Sequence, residues 1–242
     1  MELQKILILN AKGGSGKTTI ATNLAASYAN KGRHPALLDY DPQGSALNWL
    51  QTRDADCAPI HGIEAHKRNV AVTRSWQMRL PKDVDRIVID TPASISGAIL
   101  SDYIRQSDTI IVPVLPSPID ILTATNFIKE IMILGKLQAP ASVGKKRPIR
   151  LGVVANRVKE NMQIFDSLFT FLADLNLPFI TALSESQYYI HAFVEGKGVH
   201  ELHDSRTQLV CQQWKPLLDW IDDSPGNPIS LAPVSNNYNM VS

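Results

Sequence analysis

KILILNAKGGSGKTT, residues Lys5–Thr19, runs from an apolar β-branched stretch through a glycine-rich loop into a helical pattern. Ile6–Leu9 is apolar throughout, as expected of a parallel strand buried on both faces. Thr18–Lys31 places Ile20, Leu24, Ala25 and Tyr28 on one helical face and stops at Gly32. Between them, Gly13, Gly14 and Gly16 let backbone N–H groups turn inward around a di- or triphosphate. The helix N-terminus adds the positive end of its dipole. Lys17 places a charge on the β- and γ-phosphates, and the Thr18 hydroxyl suits Mg²⁺. Ser15 and Thr19 complete the loop. A bare Gly-Lys followed by Ser or Thr arises by chance in about one chain in ten of this length. The added glycines, Lys12 and the strand–loop–helix context make it specific.

Outward from the loop, Ala36–Leu38, Arg86–Ile89, Thr109–Val112, Leu151–Ala155 and Phe179–Thr181 read as further strands. Helical periods cover Ile119–Leu137 and Met162–Leu175, with two more helical segments at Gln187–Glu195 and Arg206–Ile221. This alternation implies right-handed βαβ units. The expected fold is α/β, a single-domain, doubly wound, mostly parallel sheet with helices on both faces. That domain is expected to span residues 1–223. Thr52–Pro81 carries no clear period and reads as a mobile connection with a short strand or helix. Residues 224–242, SPGNPISLAPVSNNYNMVS, hold three prolines and no charge and read as a disordered tail.

The 242 residues are 44% hydrophobic and 19% charged, a globular balance. No apolar run nears the ~18–20 residues of a membrane span, and the N-terminus lacks a signal-peptide pattern, so a cytoplasmic protein is expected. Cys57 and Cys211 stand alone, which argues against a disulfide framework or a zinc or iron–sulfur site. With 24 basic and 23 acidic residues the net charge is +1, so any polyanion contact must use a local patch.

Lys12-Gly-Gly-Ser-Gly-Lys-Thr-Thr19 resembles the deviant Walker A motif of the ParA/MinD family of P-loop ATPases. Leu37–Trp49 (LLDYDPQGSALNW), Ile87–Pro92 (IVIDTP), Pro113–Asp120 (PVLPSPID) and Asn156-Arg157 resemble later motifs of that family. The short chain, Asn48-Trp49 and PSPID are similar to its small, ParF-like members. The resemblance implies an ATPase with ATP and Mg²⁺ as its cofactors and weak intrinsic hydrolysis. It implies that Lys12 reaches the phosphates of a partner's ATP, so that two chains sandwich nucleotide in a homodimer. It further implies nonspecific DNA as a ligand, nucleoid association, and a ParB-like or adaptor protein that stimulates hydrolysis and links a cargo.

A triphosphate needs charge neutralisation and an oriented water. Asp90 closes a strand at the C-terminal edge of the sheet, beside the loop, and suits Mg²⁺. Asp41 lies at the same edge; the resemblance gives it the attacking water and a place near the metal, with Asp39 in support. Asp39 also reads as an Asx turn into Pro42. Lys12 supplies a second positive charge where γ-phosphate charge moves. Asn156 and Arg157 follow a strand; an amide and a guanidinium suit an adenine edge and face, and an asparagine capping the strand end fits equally. The resemblance favours the base. Asp120 caps the helix after the proline-rich loop, a segment placed at the dimer face in ParF-like relatives.

The DNA candidates are Lys145, Lys146, Arg147 and Arg150, with the scattered Lys159, Lys197, Arg206 and Lys215. A solvated loop is the bland reading of such a run. A membrane-cycling ATPase of the MinD type is the alternative function. It needs a basic C-terminal amphipathic helix, and no lysine or arginine follows Lys215.

Overall fold

The computed structural model describes residues 3–66, 80–135, 148–159 and 162–223. In chain order they form β1 (Gln4–Ile8), α1 (Lys17–Asn30), β2 (Pro35–Asp39), α2 (Ser45–Gln51), β3 (His61–Glu64), β4 (Arg86–Asp90) and α3 (Gly97–Gln106). There follow β5 (Thr109–Val114), α4 (Pro118–Gly135), β6 (Arg150–Val158), α5 (Asp166–Asp174), β7 (Phe179–Ser184), α6 (Gln187–Val194), α7 (Gln208–Gln212) and α8 (Lys215–Asp222). The strands make one seven-stranded sheet in the order β3-β2-β4-β1-β5-β6-β7, and every pairing is parallel.

Side chains alternate across each strand, so β1 feeds two cores. Leu7 and Leu9 join α3, α4 and α5 on one face; Ile6 and Ile8 join α1, α2, α6 and α8 on the other. The doubly wound sheet expected from the sequence is therefore present, with a hydrophobic layer on each side. Register decides where the chemistry gathers. Ile8 pairs with Asp90 and Asp39 pairs with Asp90, so β1, β2 and β4 end at one level. At that C-terminal edge a doubly wound sheet opens a crevice.

Three elements depart from the sequence expectation. Arg206–Ile221 is not one run of helix: a 3-10 turn over Ser205–Thr207 leads into α7, and the chain restarts as α8. Pro216 cannot donate a backbone N–H and is accommodated only in a first turn. Short α2 and α3, of 7 and 10 residues, give too little period to read. Within Thr52–Pro81, β3 is the ordered edge strand, while residues 67–79 lie outside the described residues, as does the 224–242 tail.

Two polar contacts fix the outer helices. The Arg150 guanidinium lies 4.2 Å from the Trp220 ring centroid and donates to the carbonyls of Trp220, Ile221 and Asp223. It satisfies the end of α8, whose last carbonyls have no helical partner. Behind α2, Arg53 forms a two-pronged pair with Glu201 at 2.6 and 2.8 Å and also donates to Ala58 O and Gly196 O. Nearby, the buried Trp49 indole N–H donates to Lys197 O at 3.2 Å.

Candidate functional site

The loop between β1 and α1 is held in shape by its own backbone and by two buried asparagines. Asn10 accepts from Lys12 N at 2.9 Å and donates to Pro113 O at 2.5 Å, tying the loop to the end of β5. Asn156, at the end of β6, donates to Ser15 O at 2.9 Å. Gly14 and Gly16 have φ of 74° and 93°, the left-handed region that glycine enters without a steric cost. Lys17 curls back so that Nζ donates to Asn10 O and Lys12 O, both at 3.2 Å. Burial pulls the Lys17 pKa down, against the opposing influence of Asp90 and Asp41. Ser15 Oγ donates to Lys12 O, and the segment after β4 joins the loop through Ser94 N and Ala11 O. The predicted phosphate residues Gly13–Thr19 therefore form one continuous cradle opening onto the C-terminal sheet edge.

The acids meet at this edge. Thr18 Oγ1 donates to Asp90 Oδ2 at 2.7 Å, while Asp90 Oδ1 is buried without a partner. Burial pushes the Asp90 carboxyl up to about 7, with Asp39 and Asp41 adding to the rise and Thr18 and Lys17 opposing it. An orphaned carboxylate oxygen beside a loop hydroxyl fits a hard divalent cation. Thr18 and Asp90 would hold Mg²⁺ together with phosphate oxygens. Among the described residues no group of three or more His, Cys, Asp or Glu could hold a metal by itself.

Asp39 is fully buried and is spent on backbone. Its Oδ1 accepts from Asp41 N at 2.9 Å, and its Oδ2 accepts from Ala46 N and Leu47 N at 3.0 and 3.2 Å. The Asx turn is there, and the same carboxylate caps α2. Burial raises its pKa, and the three N–H donors pull against that rise. Asp41 is half-buried on the following turn, where Oδ1 accepts from Gln43 N at 2.9 Å. Asp39 thus positions the turn that carries Asp41.

The start of α4 holds the Lys12 side chain. Its Nζ pairs with Asp120 Oδ1 at 2.5 Å, with the Lys12 side chain 40% exposed. Asp120 also accepts from Ser117 Oγ at 2.6 Å at the start of α4. Burial works against the Asp120 charge, but Lys12 and Ser117 outweigh it and hold the carboxyl below its usual range.

Beyond Thr19 a cavity of about 350 Å³ opens between the ends of β6 and β7 and α6, lined by Arg157, Glu185, Ser186, Tyr189 and Phe193 among others. Arg157 is exposed and sits at φ 55°, a strained conformation for a non-glycine residue. The cavity is of a size and apolar character suited to a base. Asn156 also lines it, 4% exposed, with its Nδ2 on Ser15 O.

Among the described residues each basic candidate is engaged by a neighbour. Lys145, Lys146 and Arg147 lie outside the described residues. Arg150 is engaged with the end of α8, Lys159 pairs with Glu185 at 3.2 Å, Lys197 with Glu195 at 2.9 Å, Arg206 with Asp204 at 2.8 Å, and Lys215 with Asp219. Asn10 went unread in the sequence because nothing local marks it; its partner Pro113 is 103 residues away.

The chain matches the family model for the CobQ/CobB/MinD/ParA nucleotide binding domain over residues 6–199. It is 30% identical over 202 residues to the maintenance of carboxysome distribution protein A of Halothiobacillus neapolitanus, covering 81% of this chain and 87% of that one. Among solved structures, apo McdA of Cyanothece superposes with a TM-score of 0.66 at 16% identity, covering 90% of this chain and all of that one. The MinD cell division protein of Aquifex aeolicus gives 0.62 at 19% identity, over 92% and 98% of the two chains. At such identities these structures speak for the fold.

Proposed function

The chain belongs to the CobQ/CobB/MinD/ParA nucleotide-binding family, and from that premise we propose that it is a Mg²⁺-dependent ATPase that pairs around ATP to position a cargo on DNA. In this reading the loop amides and Lys17 bind the phosphates, Thr18 and Asp90 hold the metal, and Asp41 orients the attacking water. Mg²⁺ bound with the nucleotide supplies charge neutralisation. Lys12 serves the nucleotide of a second copy, so that pairing depends on an intact γ-phosphate. Asp39 keeps the Asp41 turn in place. The ATP-bound pair binds nonspecific DNA through phosphate contacts, associates with the nucleoid in the cytoplasm, and is released when a ParB-like or adaptor partner speeds hydrolysis. The relative's name makes a large protein assembly such as the carboxysome the first cargo to test.

The observation that carries this reading is the placement of Lys12. Its ammonium is held by Asp120 at the start of α4, and the side chain is 40% exposed and so open to a second copy. The test is molar mass by light scattering with ATP and Mg²⁺, alongside phosphate release. Wild type is expected to dimerise with ATP and not ADP and to hydrolyse slowly. Asp41→Ala should accumulate as an ATP-bound dimer, Lys12→Ala should bind ATP without dimerising, and Lys17→Ala should bind no nucleotide. Full ATP-driven dimerisation of Lys12→Ala would refute the trans role of Lys12.

A further inference from the structure

We propose that Arg53 is a positioning residue for hydrolysis, holding α2 and, through it, the turn that bears Asp41. The proposal deepens the ATPase reading and rests on its placing of the attacking water at Asp41. The Asp41 turn is the entry to α2. Asp39 accepts from Asp41 N at 2.9 Å and from Ala46 N and Leu47 N in the first turn of the helix. Gly44 N donates to Asp41 O at 2.9 Å, and Asn48 N donates to Gly44 O at 2.8 Å. Turn and helix are therefore bonded into one body. A helix of 7 residues does not hold its own shape in water, so its attachments fix its direction.

At the far end of α2 the attachment is Arg53. Its Nε and Nη2 donate to Ala58 O at 3.0 and 2.9 Å, and Nη1 donates to Gly196 O at 3.0 Å. Nη1 and Nη2 also donate to Glu201 at 2.8 and 2.6 Å, which engages every N–H of the guanidinium. A planar fork with all its donors in use leaves the helix no slack. The same group lies 5.7 Å from the Trp49 ring centroid, and Trp49 donates to Lys197 O. Thus α2 is bound to a strap, residues 196–201, which Glu201 closes by accepting from Gly198 N at 2.8 Å. The approach is backbone to backbone: a Cβ on Gly196 would lie 2.4 Å from Arg53 N. The strap leaves the C-terminal end of α6, where Lys197 N donates to Ala192 O at 2.8 Å. That helix supplies Tyr189 and Phe193 to the cavity wall. The strap is also tied to α1, since Val199 N donates to Asn23 Oδ1 and Asn23 Nδ2 donates to Thr19 O, both at 2.8 Å. Arg53 therefore sets Asp41 relative to the two elements that border the nucleotide site, the helix after the phosphate loop and the wall of the cavity.

The experiment uses full-length Arg53→Met/Glu201→Met, which removes the tie without stranding a charge. It follows cleavage of saturating radiolabelled ATP with Mg²⁺, and affinity for a non-cleavable ATP analogue by calorimetry. Cleavage is expected to slow about 10- to 100-fold, the scale of a misplaced reacting group, while affinity stays within about 2-fold. The ATP-bound dimer accumulates in light scattering, as for Asp41→Ala. Added to Asp41→Ala, the two substitutions slow the residual cleavage by less than about 2-fold, because both act on one step. A merely structural role would lower the urea midpoint and leave cleavage by the folded protein intact. Undiminished cleavage by the folded variant would overturn the proposal, as would an equal loss of affinity and rate. Full slowing in the Asp41→Ala background would overturn it too. Should the double variant fail to fold, Arg53→Lys, which keeps the charge without the fork, is read by the same assays. A wild type that binds ATP without cleaving it, or an Asp41→Ala that cleaves as fast as wild type, would instead refute the ATPase reading itself.

Discussion

Lys12 Nζ lies 2.5 Å from Asp120 Oδ1, in the first turn of α4. Any pairing that draws Lys12 to another chain's nucleotide must first break this contact. Because the lysine is 40% exposed, the pair holds modestly, roughly 0.5–1 kcal/mol. Two such contacts break per dimer, so Asp120→Asn is expected to shift ATP-driven dimerisation to a protein concentration about 5- to 30-fold lower, followed by analytical ultracentrifugation. A shift the other way would mean that Asp120 assists the pairing.

Arg53 and Glu201 are both nearly buried, at 5% and 8% side-chain exposure. Removing one partner strands a charge inside the protein, which costs about 3–5 kcal/mol. Arg53→Met should lower the urea midpoint accordingly, and the double variant Arg53→Met/Glu201→Met should recover most of the loss. Equal instability of single and double variants would place the cost in packing instead.

Asp90 sets a pH dependence whose sign follows from its burial. Its carboxyl is pushed up to about 7 in the folded chain, against the ordinary carboxylate range when unfolded. Between those values the unfolded chain has lost a proton that the folded chain retains. Ligand-free stability therefore falls as pH rises from about 4 to about 7 and levels off above. Asp90→Asn should flatten this slope and, at pH 8, unfold at a higher urea concentration than wild type in the absence of nucleotide. An unaltered slope would assign the dependence to other groups.

Four of the scattered basic candidates already face acidic partners, and Arg150 is occupied by the end of α8. Alanine at Lys159, Lys197, Arg206 or Lys215 is expected to change ATP-dependent DNA binding less than 2-fold. Replacing Lys145, Lys146 and Arg147 together should weaken it at least 10-fold and make its decline with added salt less steep, as fewer phosphates are neutralised. Filter binding across a salt series reads both effects.

The strand–loop–helix around the phosphate cradle was legible because its signals are local: an apolar run, glycines at fixed spacing and a helical face. The acids at the sheet edge were legible for the same reason, since strand ends can be read and parallel register brings them level. What escaped reading depends on distant partners. Arg150 looks like part of a basic run, yet its guanidinium stacks on Trp220, 70 residues later. Asn156 ends a readable strand, yet its bond to Ser15, 141 residues away, leaves no local mark. Elements as short as β3 carry too few residues for periodicity to separate them from loop.

Trp49 sits 1% exposed on α2, the helix whose first turn is capped by Asp39, with its indole N–H on Lys197 O. The protein thereby carries an intrinsic optical gauge just behind the turn that bears Asp41. Subtracting the emission spectrum of Trp49→Phe from that of wild type isolates this one chromophore, so a stopped-flow trace can time the movement of α2 during a single turnover without any added dye.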